Sequence, residues 1–203
     1  MALFKHALPR FITCLALLIA PLASVQGVPI LSLSASNPNG MLVVRVNATD
    51  FVDLYGYQFN LNFDPTLVQA LPSSNPASAV EGPFLSSAGS TFFDAGTVNN
   101  ALGVRSFVFD TLIGPGPGAS GSGVLATFGF SVLRGGLASF SLSDVIALNS
   151  SLADIPGVQT TRLAAQIPEP ASAALLLIAL LFLPTVHKRR GAGARREAQR
   201  ASR

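Results

Sequence analysis

The groups able to do chemistry in the middle of this 203-residue chain are almost all carboxylates. Between Val28 and Gln166 stand seven aspartates and Glu81, but no histidine, lysine or cysteine; His6, His187, Lys5, Lys188 and Cys14 all belong to the two ends. A Ser-His-Asp or Cys-His arrangement needs an imidazole, zinc sites use imidazole or thiolate, and Schiff-base chemistry needs an amine, so the central region supports none of them. Carboxylates, Tyr55 and Tyr57 remain. Paired carboxylates can hydrolyse a glycosidic bond, and Asp50 with Asp53, or Asp94 with Asp110, are the pairs a fold could bring together. Against that, tryptophan is absent, and most aromatics follow strand periodicity, the mark of core positions. The expectation is a protein that is not an enzyme, with a carboxylate-based glycosidase as the minor alternative. Calcium takes carboxylate and carbonyl oxygens. Asp50, Asp53 and Asp64 flank a strand instead of forming a spaced acidic loop, which reads as solvated turn residues, so neither metal nor cofactor is expected. The Gly/Pro-rich stretch from Gly114 to Gly123 is followed by no Lys-Ser/Thr and no helix, and reads as a flexible connection and not as a phosphate cradle.

The elements that hold these residues are strands. Tyr55, Tyr57, Phe59, Leu61 and Phe63 alternate with Gly56, Gln58, Asn60 and Asn62, a strand with one buried and one wet face that Asp64-Pro65 closes. Val124, Ala126, Phe128, Phe130 and Val132 repeat the pattern until Gly135-Gly136. Weaker strands fall at Leu31 to Ala35, Leu42 to Val46, Thr66 to Ala70, Thr91 to Phe93, Val104 to Phe109, Ala138 to Leu142 and Val145 to Leu148, with turns and a Pro/Ser-rich stretch, Pro72 to Pro83, between them. No capped helical run and no internal repeat lies between Val28 and Gln166. About nine strands in one domain of this length imply two packed antiparallel sheets, an all-β sandwich.

The ends read as addresses. Lys5 and Arg10 precede an apolar run from Phe11 to Ala20 and small residues up to Gly27, the order of a secretory signal peptide, with cleavage after Gly27 or nearer Ser24. Ala171 to Val186 is an uncharged run that spans about 24 Å as a helix against a hydrocarbon core of about 30 Å. Lys188, Arg189 and Arg190 behind it are a membrane-stop cluster of the positive-inside kind. The whole-chain charge of +3 misleads, because Val28 to Gln166 holds four arginines against eight acids, a net of −4. An exported, mildly acidic domain lacks the basic footprint of a nucleic-acid binder. The layout is a signal peptide (1–27), a sandwich (28–162), a sorting segment (163–190) with its membrane helix (171–186), and a basic tail (191–203).

Two resemblances refine this. Leu54 through Asp64-Pro65 to Val68, then Gly123 to Val132 and Gly136 to Leu148, resemble the early and late strands of cohesin domains. That implies a nine-stranded jelly-roll sandwich that binds dockerin modules without catalysis. Pro168-Glu169-Pro170, directly before the apolar run and basic cluster, resembles the PEP-CTERM sorting signal. That implies processing by an exosortase of a Gram-negative, polysaccharide-producing bacterium, from an inner-membrane precursor to the cell surface or extracellular matrix. The partner implied is a protein or a polysaccharide; a self-associating structural matrix protein is the competing expectation.

Overall fold

The computed structural model describes residues 27–168. Residues 1–26 of the expected signal peptide, Glu169 and Pro170, the 171–186 run and Lys188, Arg189 and Arg190 lie outside them. Among the described residues no helix is long and apolar enough to cross a membrane.

Twelve strands form two six-stranded sheets. The first contains β1 (Ile30–Ser36), β2 (Leu42–Leu54), β4 (Val68–Ala70), β5 (Ala79–Glu81), β9 (Ala119–Val132) and β11 (Gln159–Thr160), in the order β11-β1-β2-β9-β4 with β5 also on β9. The second contains β3 (Gly56–Phe63), β6 (Thr91–Asp94), β7 (Thr97–Asn99), β8 (Val104–Leu112), β10 (Gly136–Leu148) and β12 (Leu163–Ile167), in the order β12-β10-β3-β8-β6 with β7 also on β8. All pairings are antiparallel except β1 with β11. The only helix among the described residues is α1, a single turn over Pro83–Ser86, with a 3-10 turn at Pro38–Gly40.

Alternation decides what faces inward. Tyr57, Phe59, Leu61 and Phe63 of β3 are buried, and across the gap lie Ala126, Phe128 and Phe130 of β9. Phe130 packs edge-on against both Phe63 (5.1 Å between centroids) and Phe140 of β10 (5.3 Å), and Phe128 meets Phe59 the same way at 6.2 Å. Edge-to-face pairs suit the ring quadrupoles and add to the apolar burial.

The all-β sandwich is as expected, and the strand count is higher because β5, β7, β11 and β12 are short strands that alternation does not mark, while bulges change the extent of the longer ones. Asp50, Asp53, Phe107 and Asp144 take left-handed backbone (φ 56°, 59°, 57° and 50°) where the β2–β9, β3–β8 and β3–β10 registers shift. Each bulge resets the in/out parity. The two strands expected at Ala138 to Leu142 and Val145 to Leu148 are therefore one, β10, bent at Asp144. The connection expected across Gly114 to Gly123 is shorter, since β9 begins at Ala119. The Pro/Ser-rich stretch supplies β5. The sandwich also runs past the boundary expected at Arg162: β12 pairs with β10 from Phe140↔Leu163 to Gly136↔Ile167, and buries Ala165 and Ile167.

Candidate functional site

The two outer faces differ in chemistry. The first sheet turns out Ser32, Ser34, Arg45, Asn47 and Ser131, bonded to one another or to their strand neighbours, together with Val52 and Val80: Arg45 Nη1 donates to Ser36 Oγ (3.2 Å), Asn47 Nδ2 to Ser34 Oγ (3.1 Å) and Ser131 Oγ to the Gln69 carbonyl (3.2 Å). The second sheet exposes larger apolar groups, aromatic rings among them. Phe92 on β6 is 55% exposed, Phe107 on β8 65% and Ile146 on β10 43%, with Ile113 just beyond β8 at 60%.

Register brings these into one surface. Gln58 of β3 lies between Phe109 of β8 and Ile146 of β10, and the Phe109 ring stacks at a tilt on Phe92 of β6, 5.8 Å away. Beside them Asn60 ties the bulges of two neighbouring strands together. Its Oδ1 accepts from the Phe107 amide (2.8 Å), and its Nδ2 donates to Asp144 Oδ2 (2.6 Å). Left-handed backbone suits aspartate but is costly for phenylalanine, of the order of 1–3 kcal/mol. The Asn60 bond helps hold Phe107 in that conformation, with its ring in solvent. The exposed charges on β3, β6, β8 and β10 are the carboxylates Asp94 and Asp144, and the one base on those strands, Arg105, is buried.

The carboxylates singled out for chemistry have other duties. Asp53 Oδ1 accepts from the Gly118 amide (2.6 Å), and Oδ2 from the Ser150 hydroxyl (2.7 Å) and amide (3.2 Å). These bonds, the Ser150 hydroxyl foremost, hold its pKa below the usual carboxylate range. A side chain at 118 would meet the Asp53 and Leu54 backbone at about 2.5 Å, so only glycine allows this approach. Asp50 and Asp53, one of the expected carboxylate pairs, line one surface pocket with Gly27, Pro29 and Asn149. Asp64 caps its turn through the Thr66 hydroxyl (2.6 Å) and amide (2.9 Å), which lower its pKa. Asp94 accepts from the Gly96 amide (2.7 Å). Asp94 and Asp110 do not form a pair: Asp110 opposes Phe93 and points inward, whereas Asp94 is exposed. Among the described residues no group of three or more His, Cys, Asp or Glu side chains is placed to hold a metal. Pro168, the first residue of the expected sorting motif, is exposed one residue beyond β12.

Two charges on β8 are buried, which the sequence reading did not foresee. Arg105 is fully buried; its guanidinium donates to Ser78 Oγ (2.8 Å), the Ser78 carbonyl (3.3 Å) and the Ala95 carbonyl (2.9 Å) and lies 5.3 Å from the Phe128 ring centroid. Burial lowers its pKa. Asp110 is 1% exposed, and neither of its oxygens has a hydrogen-bond partner. Burial, helped by the charge of Glu81 and only partly offset by the nearby Thr111 amide, raises its pKa to about 6. Alternation alone does not show either burial: the bulge at Phe107 changes the parity of β8 between Arg105 and Val108, and only the pairing with β3 and β6 encloses Asp110.

Comparison with curated proteins finds no match. Among solved structures the chain is similar to the second type II cohesin module from the cellulosomal adaptor ScaA scaffoldin of Acetivibrio cellulolyticus, at TM-score 0.57 and 17% identity over 70% of this chain and 98% of that one. It is similar as well to a non-cellulosomal cohesin from the archaeon Archaeoglobus fulgidus (TM-score 0.53, 13% identity, 74% and 98% covered). A third likeness is to the sixth cohesin of Acetivibrio cellulolyticus scaffoldin B, solved in complex with a Cel5 dockerin (TM-score 0.52, 17% identity, 70% and 100% covered). At these identities the likenesses establish the fold. The family follows from the match of residues 27–164 to the cohesin domain model, which covers most of the sandwich: this chain belongs to the cohesin domain family.

Proposed function

We propose that the chain is a non-catalytic, exported docking module whose partner, a dockerin-like protein, sits on the outer face of the second sheet. The observation that carries this reading is the group of solvent-exposed Phe92, Phe107 and Ile146 on three strands of that sheet, whereas among the described residues the first sheet exposes no aromatic ring and its large apolar groups in solvent are Val52 and Val80. Exposed aromatics clustered on one sheet face are the groups from which interface hot spots are made. With Asp94 and Asp144 as its exposed charges, the face suits a partner that offers apolar side chains flanked by lysine or arginine.

The sorting reading belongs to the same proposal. Pro168-Glu169-Pro170 is the recognition motif of an exosortase, and Lys188, Arg189 and Arg190 stop the precursor in the inner membrane until processing delivers the domain to the cell surface or matrix. What supports it is the order of the segments in the sequence.

Calorimetric titration of the purified chain with a panel of dockerin modules tests the docking surface. Binding should weaken at least tenfold, about 1.4 kcal/mol, in Phe107→Asp, while Arg45→Ala on the first sheet leaves it unchanged. Binding indifferent to Phe107 and Phe92 would move the docking site off this face, and a panel that binds nowhere would remove dockerins as the partner. For sorting, intact mass after expression with an exosortase should show loss of the residues beyond the motif, and Glu169→Ala should prevent it.

A further inference from the structure

Beneath the outer face, where β8 meets the edge strand β6, a buried charge lacks any group to balance it. The cross-strand neighbours of Asp110 are Tyr57 on β3 and Phe93 on β6. The titratable groups facing it are Tyr57 and, from β5 in the opposite sheet, Glu81. The Tyr57 hydroxyl donates to the Leu125 carbonyl (2.9 Å), and Glu81 Oε1 accepts from the Thr91 hydroxyl (2.6 Å). Arg105, the one base on β8, directs its guanidinium to Ser78 and Ala95. None of these neutralises an ionised Asp110, and Glu81 repels it. An unpaired carboxylate is not kept ionised in an apolar interior; it takes up a proton or it gains access to water.

The element most easily moved to admit water is β6. It is four residues long, it is hydrogen-bonded to β8 on one side only, and its inward residues Thr91 and Phe93 are only half-buried. We propose that β6 is a proton-operated edge of the sandwich: with Asp110 protonated β6 stays seated on β8 and Phe92 completes the outer face, and with Asp110 ionised β6 detaches, water reaches the carboxylate and Phe92 leaves the face. Seated, Asp110 titrates at about 6; opened to water it returns toward the ordinary 3.8. The opened fraction therefore grows about tenfold per pH unit between those values and levels off above the upper one, roughly a hundredfold in all. The edge is closed in acid and loosened toward neutrality. Its effect on docking rests on the docking reading above, whereas the opening itself does not.

Hydrogen exchange of the Phe92 and Asp94 amides in the full chain, followed from pH 4 to 7 and corrected for intrinsic exchange, tests the device alongside a carbon-13 titration of the Asp110 carboxyl. Protection of β6 should fall about a hundredfold while Phe59 and Leu61 on β3 stay protected. In Asp110→Asn the profile should be flat, and in Glu81→Gln, which removes the repelling charge but leaves Asp110 in place, the midpoint should move to lower pH. Constant β6 protection in the unaltered chain, an equal loss in β3, the same loss in Asp110→Asn, or an unmoved midpoint in Glu81→Gln would each overturn the proposal. If β6 opens as stated but dockerin affinity is the same at pH 4.5 and 7, the docking reading fails and the edge device stands.

Discussion

Asp110, Asp53 and Asp64 are carboxylates of one chain whose environments pull in opposite directions, and this sets the pH response of the fold. The pKa of Asp110 is raised, so its contribution to stability is complete below 3.8 and is lost as pH rises toward about 6. Those of Asp53 and Asp64 are lowered by their hydroxyl and amide donors, so their contribution is present above 3.8 and is lost as pH falls. Thermal unfolding should therefore show maximal stability between about pH 4 and 5. From there to pH 7 the fold should lose about 2 kcal/mol, and Asp110→Asn should abolish that decline while leaving the acid limb in place. Phe130, fully buried between Phe63 and Phe140, is the side chain whose loss should cost most: Phe130→Ala should lower the unfolding free energy by about 3–5 kcal/mol in a denaturant titration. The role of Phe130 is legible in its alternation with Gly129 and Ser131. That of Asp110 is not, because only the pairing of β8 with β3 and β6 shows it to be enclosed.

At the scale of elements the bulges do most to separate the observed strands from those read by alternation. Tyr57 to Phe63 and Ala126 to Phe130 lie in unbroken stretches of their strands and are plain in the sequence. β2 continues past Val46 to Leu54 only because Asp50 and Asp53 absorb the misfit, with their amides donating to the hydroxyls of Ser122 (3.1 Å) and Ser120 (2.9 Å). Those serines lie 67 and more positions away in the chain, a separation that alternation does not read. β5 is obscured by its Pro/Ser-rich surroundings. Asn60 serves two elements at once, so its replacement should be felt on both. Asn60→Ala should cost about 1–2 kcal/mol and speed amide exchange at Phe107. Asn60→Asp should be worse at neutral pH than at pH 3, since it sets a second carboxylate against Asp144.

For the whole molecule, β12 decides where the domain stops. Truncation after Arg162 removes a strand that buries Ala165 and Ile167 and leaves the β10 edge uncovered. That chain should melt several degrees lower than one ending at Pro168 and should aggregate, as calorimetry and light scattering will show. β12 is obscured in the sequence by Ala164-Ala165-Gln166, which lacks strand-favouring bulk, and by the Pro-Glu-Pro motif that follows. The apolar face proposed for docking is illegible for a related reason: Phe92, Phe107 and Ile146 come from three strands far apart in the chain, and sheet order alone makes them neighbours. The seating of Ile167 also has a mechanical consequence. Pro168 follows it with no slack, so any tension transmitted from the C-terminal side arrives at the Gly136↔Ile167 pair and must be borne by the five-residue β12 ladder. A tethered domain loaded along that strand would resist in shear, with the five pairs sharing the force, whereas a load across it would unzip them one at a time from Ile167.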